Sequence, residues 1–198
     1  MSGTGEQGME LTTVIVLVVL GVVLLYAIML YNQLVSVKHA VSQAWSNIDV
    51  LLRQRHDELP KLVEACRRYM QHEAQTLERV IAARGAVASA RAESDVKGVG
   101  RAETALRAGL GQLFALAENY PDLKASESFQ HLQERITGLE NGIADRRELY
   151  NAAVNINNVR IEQFPEVLLA RLFAFKPATL LQFSDEEKAD VDIRTLFS

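Results

Sequence analysis

LTTVIVLVVLGVVLLYAIMLYNQLVSV, residues 11–37, contains no charged side chain. Its first part, residues 11–30, is apolar apart from Thr12, Thr13 and Tyr26. At ~1.5 Å of rise per residue, about 20 residues cross a hydrocarbon layer of ~30 Å, because a helix satisfies its own backbone groups where water is absent. Between Val14 and Leu25 the Val, Leu and Ile side chains face every direction around a helix axis, which argues against a buried core helix with one apolar stripe. A cleaved secretory signal starts with basic residues and ends at a small-residue cleavage site. Here Glu6 and Glu10 precede the run, and nothing like Ala-x-Ala follows before Gln33. The expectation is an uncleaved, single-pass signal-anchor at residues 11–31 behind a short tail, 1–10. Leu11, Val18 and Leu24 sit in lipid, and Tyr26 and Tyr31 belong at the second interface, where aromatic rings mix with headgroups.

Lys38, Arg53 and Arg55 follow the span and no basic residue precedes it, so the positive-inside bias favours an outside N-terminus and a cytoplasmic body. The single cysteine, Cys66, allows no internal disulfide, in keeping with a reducing compartment. The formal net charge is −4, and two of the 25 acidic residues precede the span, leaving a nearly balanced body without a basic stripe. Nucleic acid is therefore excluded as an expected partner. Beyond the anchor enough chain remains for one domain with a core.

No proline or glycine separates Leu30 from the next apolar stripe, Leu34, Val37, Val41, Trp45, Ile48 and Leu52, so tether and first helix are expected to form one rod that moves as a unit. Asp57-Glu58-Leu59-Pro60 predicts the end of that helix and the start of the next, since proline is tolerated in a first turn. A second stripe runs through Leu62, Cys66, Tyr69 or Met70, Leu77 and Val80 or Ile81. Ser94-Asp95-Val96-Lys97-Gly98 reads as a loop. Leu106, Leu110, Leu113, Phe114 and Ala117 mark a third helix that stops at Asn119-Tyr120-Pro121-Asp122. Phe129, Leu132, Ile136, Leu139, Ile143, Arg146, Tyr150, Val154, Asn157, Ile161 and Phe164 recur at alternating spacings of 3 and 4, a near-heptad, coiled-coil-like seam. The predicted helices span about 32–57, 60–93, 99–119 and 127–163.

The predicted fold is therefore all-α: an N-terminal transmembrane helix followed by a long up-down-up-down antiparallel four-helix bundle over residues 32–164, because short connections make sequential helices antiparallel neighbours. A C-terminal amphipathic segment and tail, 165–198, completes the chain. Exchange of helices between chains in a coiled-coil oligomer stays open, since the last helix is ~55 Å long. In this topology Arg53, Arg55, His56 and Asp57 meet Tyr120, Pro121, Asp122 and Lys124 at a tip far from the membrane, a candidate interaction surface. Residues 164–176 return toward the lipid, either to lie in the headgroup layer or to fold over the base of the bundle.

Asn151, Asn155, Asn157 and Asn158 crowd the last helix, although asparagine competes with the helical backbone. With Asn32 opposite, and Asn47 near Asn141, a polar layer is expected around Asn32, Asn151, Asn155 and Asn157. It either sets helix register or holds a ligand, or else most of these amides face solvent. His72-Glu73 lacks a second histidine four residues on, and His39, His56, His72 and His131 have no ligand spacing, so a metal is not expected and surface positions are. Gly98-Val99-Gly100 has neither the strand nor the lysine of a phosphate loop. Gly138 and Gly142 only weakly suggest small-residue packing. Cys66 lies on the core face with no partnered histidine and reads as a buried structural thiol. Ser184-Asp185-Glu186-Glu187 resembles a capping box. No nucleophile, base and oxyanion donor assemble, so neither enzymatic activity nor a cofactor is expected.

Several of these stretches resemble the LemA family. They are Tyr31-Asn32-x-Leu34-Val35, Ala44-Trp45-Ser46-Asn47-Ile48-Asp49-Val50, and Arg53-x-Arg55-His56-Asp57 ahead of Leu59-Pro60-x-Leu62-Val63-Glu64. His72-Glu73, Ala83-Arg84, Glu118-x-Tyr120-Pro121-Asp122-Leu123-Lys124-Ala125 and Phe129-x-x-Leu132-Gln133 follow. Glu140-Asn141-x-Ile143-Ala144, Tyr150-Asn151-x-x-Val154, Phe164-Pro165 and Phe175-Lys176-Pro177 complete the set. One departure stands out: Asp57-Glu58-Leu59-Pro60-Lys61-Leu62 replaces the family's Asp-Leu-Ile-Pro-Asn-Leu. The resemblance implies a bacterial membrane protein with an anchor ahead of an antiparallel helical bundle, and carries no catalytic residues. Family members are found with envelope proteases or membrane-remodelling systems, a relative in magnetosome formation among them.

The functional expectation is a non-enzymatic scaffold or interaction protein anchored in the bacterial inner membrane, linked to membrane organisation or membrane-protein quality control. Its expected partners are the lipid bilayer, other membrane or envelope proteins, and a second copy of itself. The alternative is a tethered sensor or regulator that binds a ligand near the asparagines and signals through the first helix.

Overall fold

A computed structural model describes residues 3–183 of the chain, with side chains from residue 11 onward. Among the described residues every regular element is a helix: α1 (Gly3–Arg67), α2 (Ala74–Ala92), α3 (Val96–Ala117), α4 (Pro121–Lys124), α5 (Glu127–Glu162) and α6 (Glu166–Leu172). The chain divides into two compact units, Met1–Ser42 with Ala153–Ala178, and Gln43–Ala152 with the segment from Thr179 onward. The expected capping box at 184–187 lies outside the described residues.

The first break differs from the expectation. Instead of stopping at Asp57–Pro60, α1 continues through Pro60 to Arg67. Proline inside a helix removes the N–H that would reach the carbonyl four residues back. That carbonyl belongs to His56, and it accepts a hydrogen bond from Arg84 Nε of α2 at 2.9 Å instead. The break comes at 68–73, a turn without glycine or proline, in which the Tyr69 and Met70 N–H groups donate to the Cys66 carbonyl. Burial of Met70 in the core pins that turn.

The larger unit has a contiguous core. Leu59, Leu62, Cys66 and Met70 meet Leu77, Val80 and Val87 of α2, Leu106, Leu110 and Leu113 of α3, and Leu123 of α4. Phe129, Leu132 and Ile136, the first positions of the α5 seam, complete it. The heptad spacing thus does what periodicity predicts, turning one face of each helix inward. Gly109 of α3 lies against Val80, where even a Cβ would be in van der Waals contact at 3.4 Å, so α2 and α3 approach closely. The turn between them holds Ser94 at φ 57°, and its N–H and that of Asp95 close on the carbonyls of Arg91 and Ala90, a Schellman end to α2.

The smaller unit has its own packing. Leu34 is buried with Ile161 of α5 and Ala170 of α6, with Leu169 and Phe175 alongside. α6 also ends in a Schellman turn, with the N–H of Ala174 on the Arg171 carbonyl and that of Phe175 on the Ala170 carbonyl. Ala174 there adopts φ 54°.

Candidate functional site

Of the residues expected at a solvated tip, Arg55 is internal, His56 and Tyr120 are half-buried, and Arg53, Asp57, Pro121, Asp122 and Lys124 are exposed. Arg55 is among the most buried side chains, and its two terminal nitrogens pair with Glu103 of α3 and Glu140 of α5. Arg107 reaches the second oxygen of Glu140 at 3.1 Å, so two guanidinium groups and two carboxylates form one network across three helices. Burial alone would lower the Arg55 pKa, but Glu103 and Glu140 hold it above its ordinary value. The enclosed Glu103 carboxyl is pushed up by its burial, with Arg55 pulling the other way. Arg55 Nε and Glu103 Oε2 have no hydrogen-bond partner among the described residues.

Neighbouring charges tie α1 to α2 in the same manner. Asp49 accepts from Arg91 Nε and Nη2 at 2.8 and 2.6 Å, and pairs with the exposed Arg53 at 2.8 Å. His56, expected at the surface, is half-buried, with Arg84 Nη2 2.7 Å from its Nε2. Burial first, then Arg84, lowers its pKa from the ordinary value. Asp57 is exposed. On the other side of the expected cluster, the Tyr120 hydroxyl lies 3.4 Å from Glu73 Oε1, at the edge of the 68–73 turn. Pro121 and Asp122 are exposed, and Lys124 pairs with Glu118. The group that meets Tyr120 is thus Glu73, because α1 runs past Pro60 and moves the turn some 10 residues on.

The asparagines divide. Asn32, Asn47, Asn141 and Asn155 are exposed, and Asn157 is buried. Asn157 Nδ2 points at the Lys176 carbonyl, 3.5 Å away. Asn158 grips the backbone of Ala178 with both ends of its amide, at 3.0 and 2.8 Å. In the larger unit Asn151 does the same to Leu181, at 3.0 and 2.9 Å, and the Tyr150 hydroxyl donates to the Thr179 carbonyl at 2.8 Å. Phe183 is buried with Arg147 4.3 Å from its ring centre and Arg107 5.4 Å away. A side-chain amide carries an N–H donor and a carbonyl acceptor side by side on one planar group, so it can pair with both ends of a peptide unit. These asparagines therefore hold an extended piece of the chain's own backbone. Asn158 was the member left out of the expected layer, and Glu103, Glu140 and Arg84 are the other polar groups that the spacing did not single out.

Cys66 is buried as expected, and that burial pushes its thiol up to about 12, which keeps it protonated and unreactive. His39, His72 and His131 are exposed.

The anchor residues are the other candidate surface. α1 carries the one stretch among the described residues that is long and apolar enough to cross a membrane. From Leu11 to Tyr26 its large apolar side chains, Val18 and Leu24 included, are 51–65% exposed on every side. A core helix would bury them. Tyr31, at the end of the stretch, packs its ring against Phe173 with centroids 4.8 Å apart and against Phe175 at 6.0 Å.

Two magnetosome proteins of Paramagnetospirillum magneticum, MamQ 1 and MamQ 2, are each 37% identical to the chain over 73 residues, 37% of its length and 27% of theirs. Magnetosome protein MamQ of Magnetospirillum gryphiswaldense is 34% identical over 67 residues, 34% of the chain and 25% of that protein. The chain thus matches about a quarter of the length of these relatives. The LemA family pattern matches residues 44–194, three-quarters of the chain and every helix from the later part of α1 onward, and this protein belongs to the LemA family.

Proposed function

We propose that this protein is a non-enzymatic, membrane-anchored helical scaffold of the bacterial cell envelope. The observation that carries the reading is the exposure of the uncharged stretch at the start of α1, whose apolar side chains have no protein to cover them. A bilayer covers such a surface at ~25 cal/mol per Å² of apolar area removed from water. In this reading α1, α2, α3 and α5 form an antiparallel four-helix bundle. The shared core of the larger unit, drawn from all four, supports that arrangement. The internal ion pairs set helix register, and outward faces are left for envelope proteins or a second copy of the chain. The relatives named as magnetosome proteins support a role in organising membrane. Lys38 after the span, with no basic residue before it, favours a single pass in the inner membrane with the body in the cytoplasm.

Proximity labelling from the exposed Asp122 of the full-length chain, with detergent-solubilised protein sized in parallel, tests the scaffold. Reproducible membrane-protein neighbours or an oligomer support it; a monomer without a partner removes it. Orientation is read separately, with Thr4→Cys and Asp190→Cys variants and an impermeant thiol reagent on intact cells. Labelling of position 190 overturns the cytoplasmic body. The alternative of a ligand sensor is not favoured, since the Asn151, Asn157 and Asn158 amides are engaged by the chain's own backbone.

A further inference from the structure

α6 and the aromatic turn after it are fastened to α1 at one level. Leu34 is buried against Ala170, and Tyr31 packs at a tilt against Phe173 and edge-on against Phe175. That level is the end of the uncharged stretch, since the first charged residue after Glu10 is Lys38. A chain whose span occupies residues 11–31 therefore holds α6 where hydrocarbon gives way to headgroups.

The outward side of this segment is apolar. Leu168 and Leu172, one helical turn apart, are 61% and 73% exposed, Phe173 is 53% exposed, and Phe164, just before α6, is 77% exposed. The inward side carries Ala170 and Glu166, both buried. An interfacial helix sinks apolar side chains among acyl chains and keeps its other face out of the hydrocarbon, and here that other face is docked on the protein.

Charge agrees with the same occupant. Over residues 31–42 and 153–178 the acidic residues are Glu162 and Glu166, against Lys38, Arg160, Arg171 and Lys176. Glu166 is neutralised by Arg160 at 2.6 Å, its carboxyl held below the ordinary range by that pair and its backbone bond although burial works against it. What is left is Lys38, Arg171 and Lys176 on exposed positions against a single Glu162, an excess suited to phosphate headgroups.

We infer that α6 and the Phe173 turn are a second membrane contact, lying in the headgroup layer of the bilayer that α1 crosses and favouring anionic phospholipid. The inference rests on the membrane reading of α1. It gives the protein a collar that sets the depth of the anchor, with Arg171 and Lys176 at phosphate level and Phe164, Leu168 and Leu172 below it.

The test places a polarity-sensitive thiol fluorophore on Leu172→Cys and, separately, on Val22→Cys in the full-length protein. The buried, high-pKa Cys66 stays unlabelled, as wild-type protein taken through the same reaction verifies. Each protein is reconstituted in phosphatidylcholine vesicles with phosphatidylglycerol and exposed to headgroup nitroxide lipid, acyl-chain nitroxide lipid or aqueous iodide. The inference expects severalfold stronger quenching at 172 by headgroup nitroxide than by iodide, and at 22 by acyl-chain nitroxide. Adding Arg171→Glu and Lys176→Glu should at least halve the headgroup quenching at 172, as should omitting phosphatidylglycerol. Quenching at 172 by iodide alone, with 22 still in the acyl chains, overturns the collar and leaves the anchor standing. Loss of lipid quenching at both sites overturns the membrane reading itself. Headgroup quenching at 172 that ignores both charge and lipid composition overturns the anionic preference.

Discussion

Arg84 Nε donates to the carbonyl oxygen of His56 at 2.9 Å, the oxygen that Pro60 has no N–H to reach. A long-range side chain thereby lets a helix run on through a proline. Removing it leaves a buried acceptor unpaired, so Arg84→Ala should lower stability by about 1–3 kcal/mol. In a Pro60→Ala background, where residue 60 regains its N–H, the same change should cost clearly less. Thermal and denaturant unfolding of the four proteins in detergent, followed by far-ultraviolet circular dichroism, measures the coupling. An equal loss in both backgrounds would contradict the compensation.

The same contact makes stability sensitive to acid. His56 faces Arg84 and Arg91 from α2 and Asp57 from its own helix, and its pKa lies below the ordinary 6.5, from burial first and then from Arg84. A depressed value in the folded state means that the unfolded chain takes up the proton first as pH falls. The His56 contribution is therefore fully present above about pH 6.5 and is lost as the pH drops from there through the folded value. Melting curves from pH 8 to pH 5 should show a decline below about 6.5 that His56→Gln makes shallower. Identical slopes in the two proteins would sink the assignment.

Glu103 is fully enclosed against Arg55. Glu103→Leu leaves a buried guanidinium with only Glu140 and should cost about 3–5 kcal/mol. Glu103→Leu with Arg55→Met removes both charges and should recover much of that loss, since apolar replacements of a buried pair are often neutral or better. Chemical denaturation of single and double variants decides it; a strictly additive loss would mean that the pair does not act as a unit.

Ala174 holds φ 54° at the end of α6, where a Cβ is unfavourable by about 1 kcal/mol. Ala174→Gly should stabilise the protein, offset in part by the freer unfolded chain, and Ser94→Gly at φ 57° should act in the same direction. A lowered melting temperature in both would count against the left-handed turns.

A methyl group at Gly100 would fall 2.0 Å from the carbonyl oxygen of Gln182. Gly100→Ala should therefore push the 181–183 segment off α3 and expose the Leu181 amide, which Asn151 now accepts at 2.9 Å. Amide hydrogen exchange at Leu181 should accelerate at least tenfold while the Leu106 and Leu113 amides keep their protection. Unchanged exchange at Leu181 would show that the segment does not rest on Gly100.

Local patterns were readable without coordinates. The seam predicted from Phe129 to Phe164 is buried at most of its positions, because the helical period alone decides which residues share a face; Leu139 is half-buried, and Arg146 and Phe164, the latter beyond the end of α5, are exposed. Residues 11–26 read as lipid-facing for the same reason, apolar in all directions. Polar partners were not readable. Arg55 looked like a solvated tip residue, and the charge run Arg53-x-Arg55-His56-Asp57 gives no hint that one member turns inward to carboxylates 48 and 85 residues away. The Glu140 and Ala83-Arg84 stretches were visible as family-like segments, but spacing alone did not connect them to Arg55 or Pro60.

What the sequence by itself determined is therefore the all-helical class, the uncharged stretch, the core faces and the family, each carried by short-range order along the chain. The tertiary structure decided that α1 passes Pro60 and turns at 68–73, that Arg55 and Asn157 are inside, and that α6 meets α1 at Leu34. For the polar groups the physical reason is shared. An apolar side chain can be buried against any apolar neighbour, so its pattern suffices. A buried charge, amide or orphaned carbonyl requires one particular partner, and only the folded chain brings residues 19 to 85 positions apart within hydrogen-bond reach.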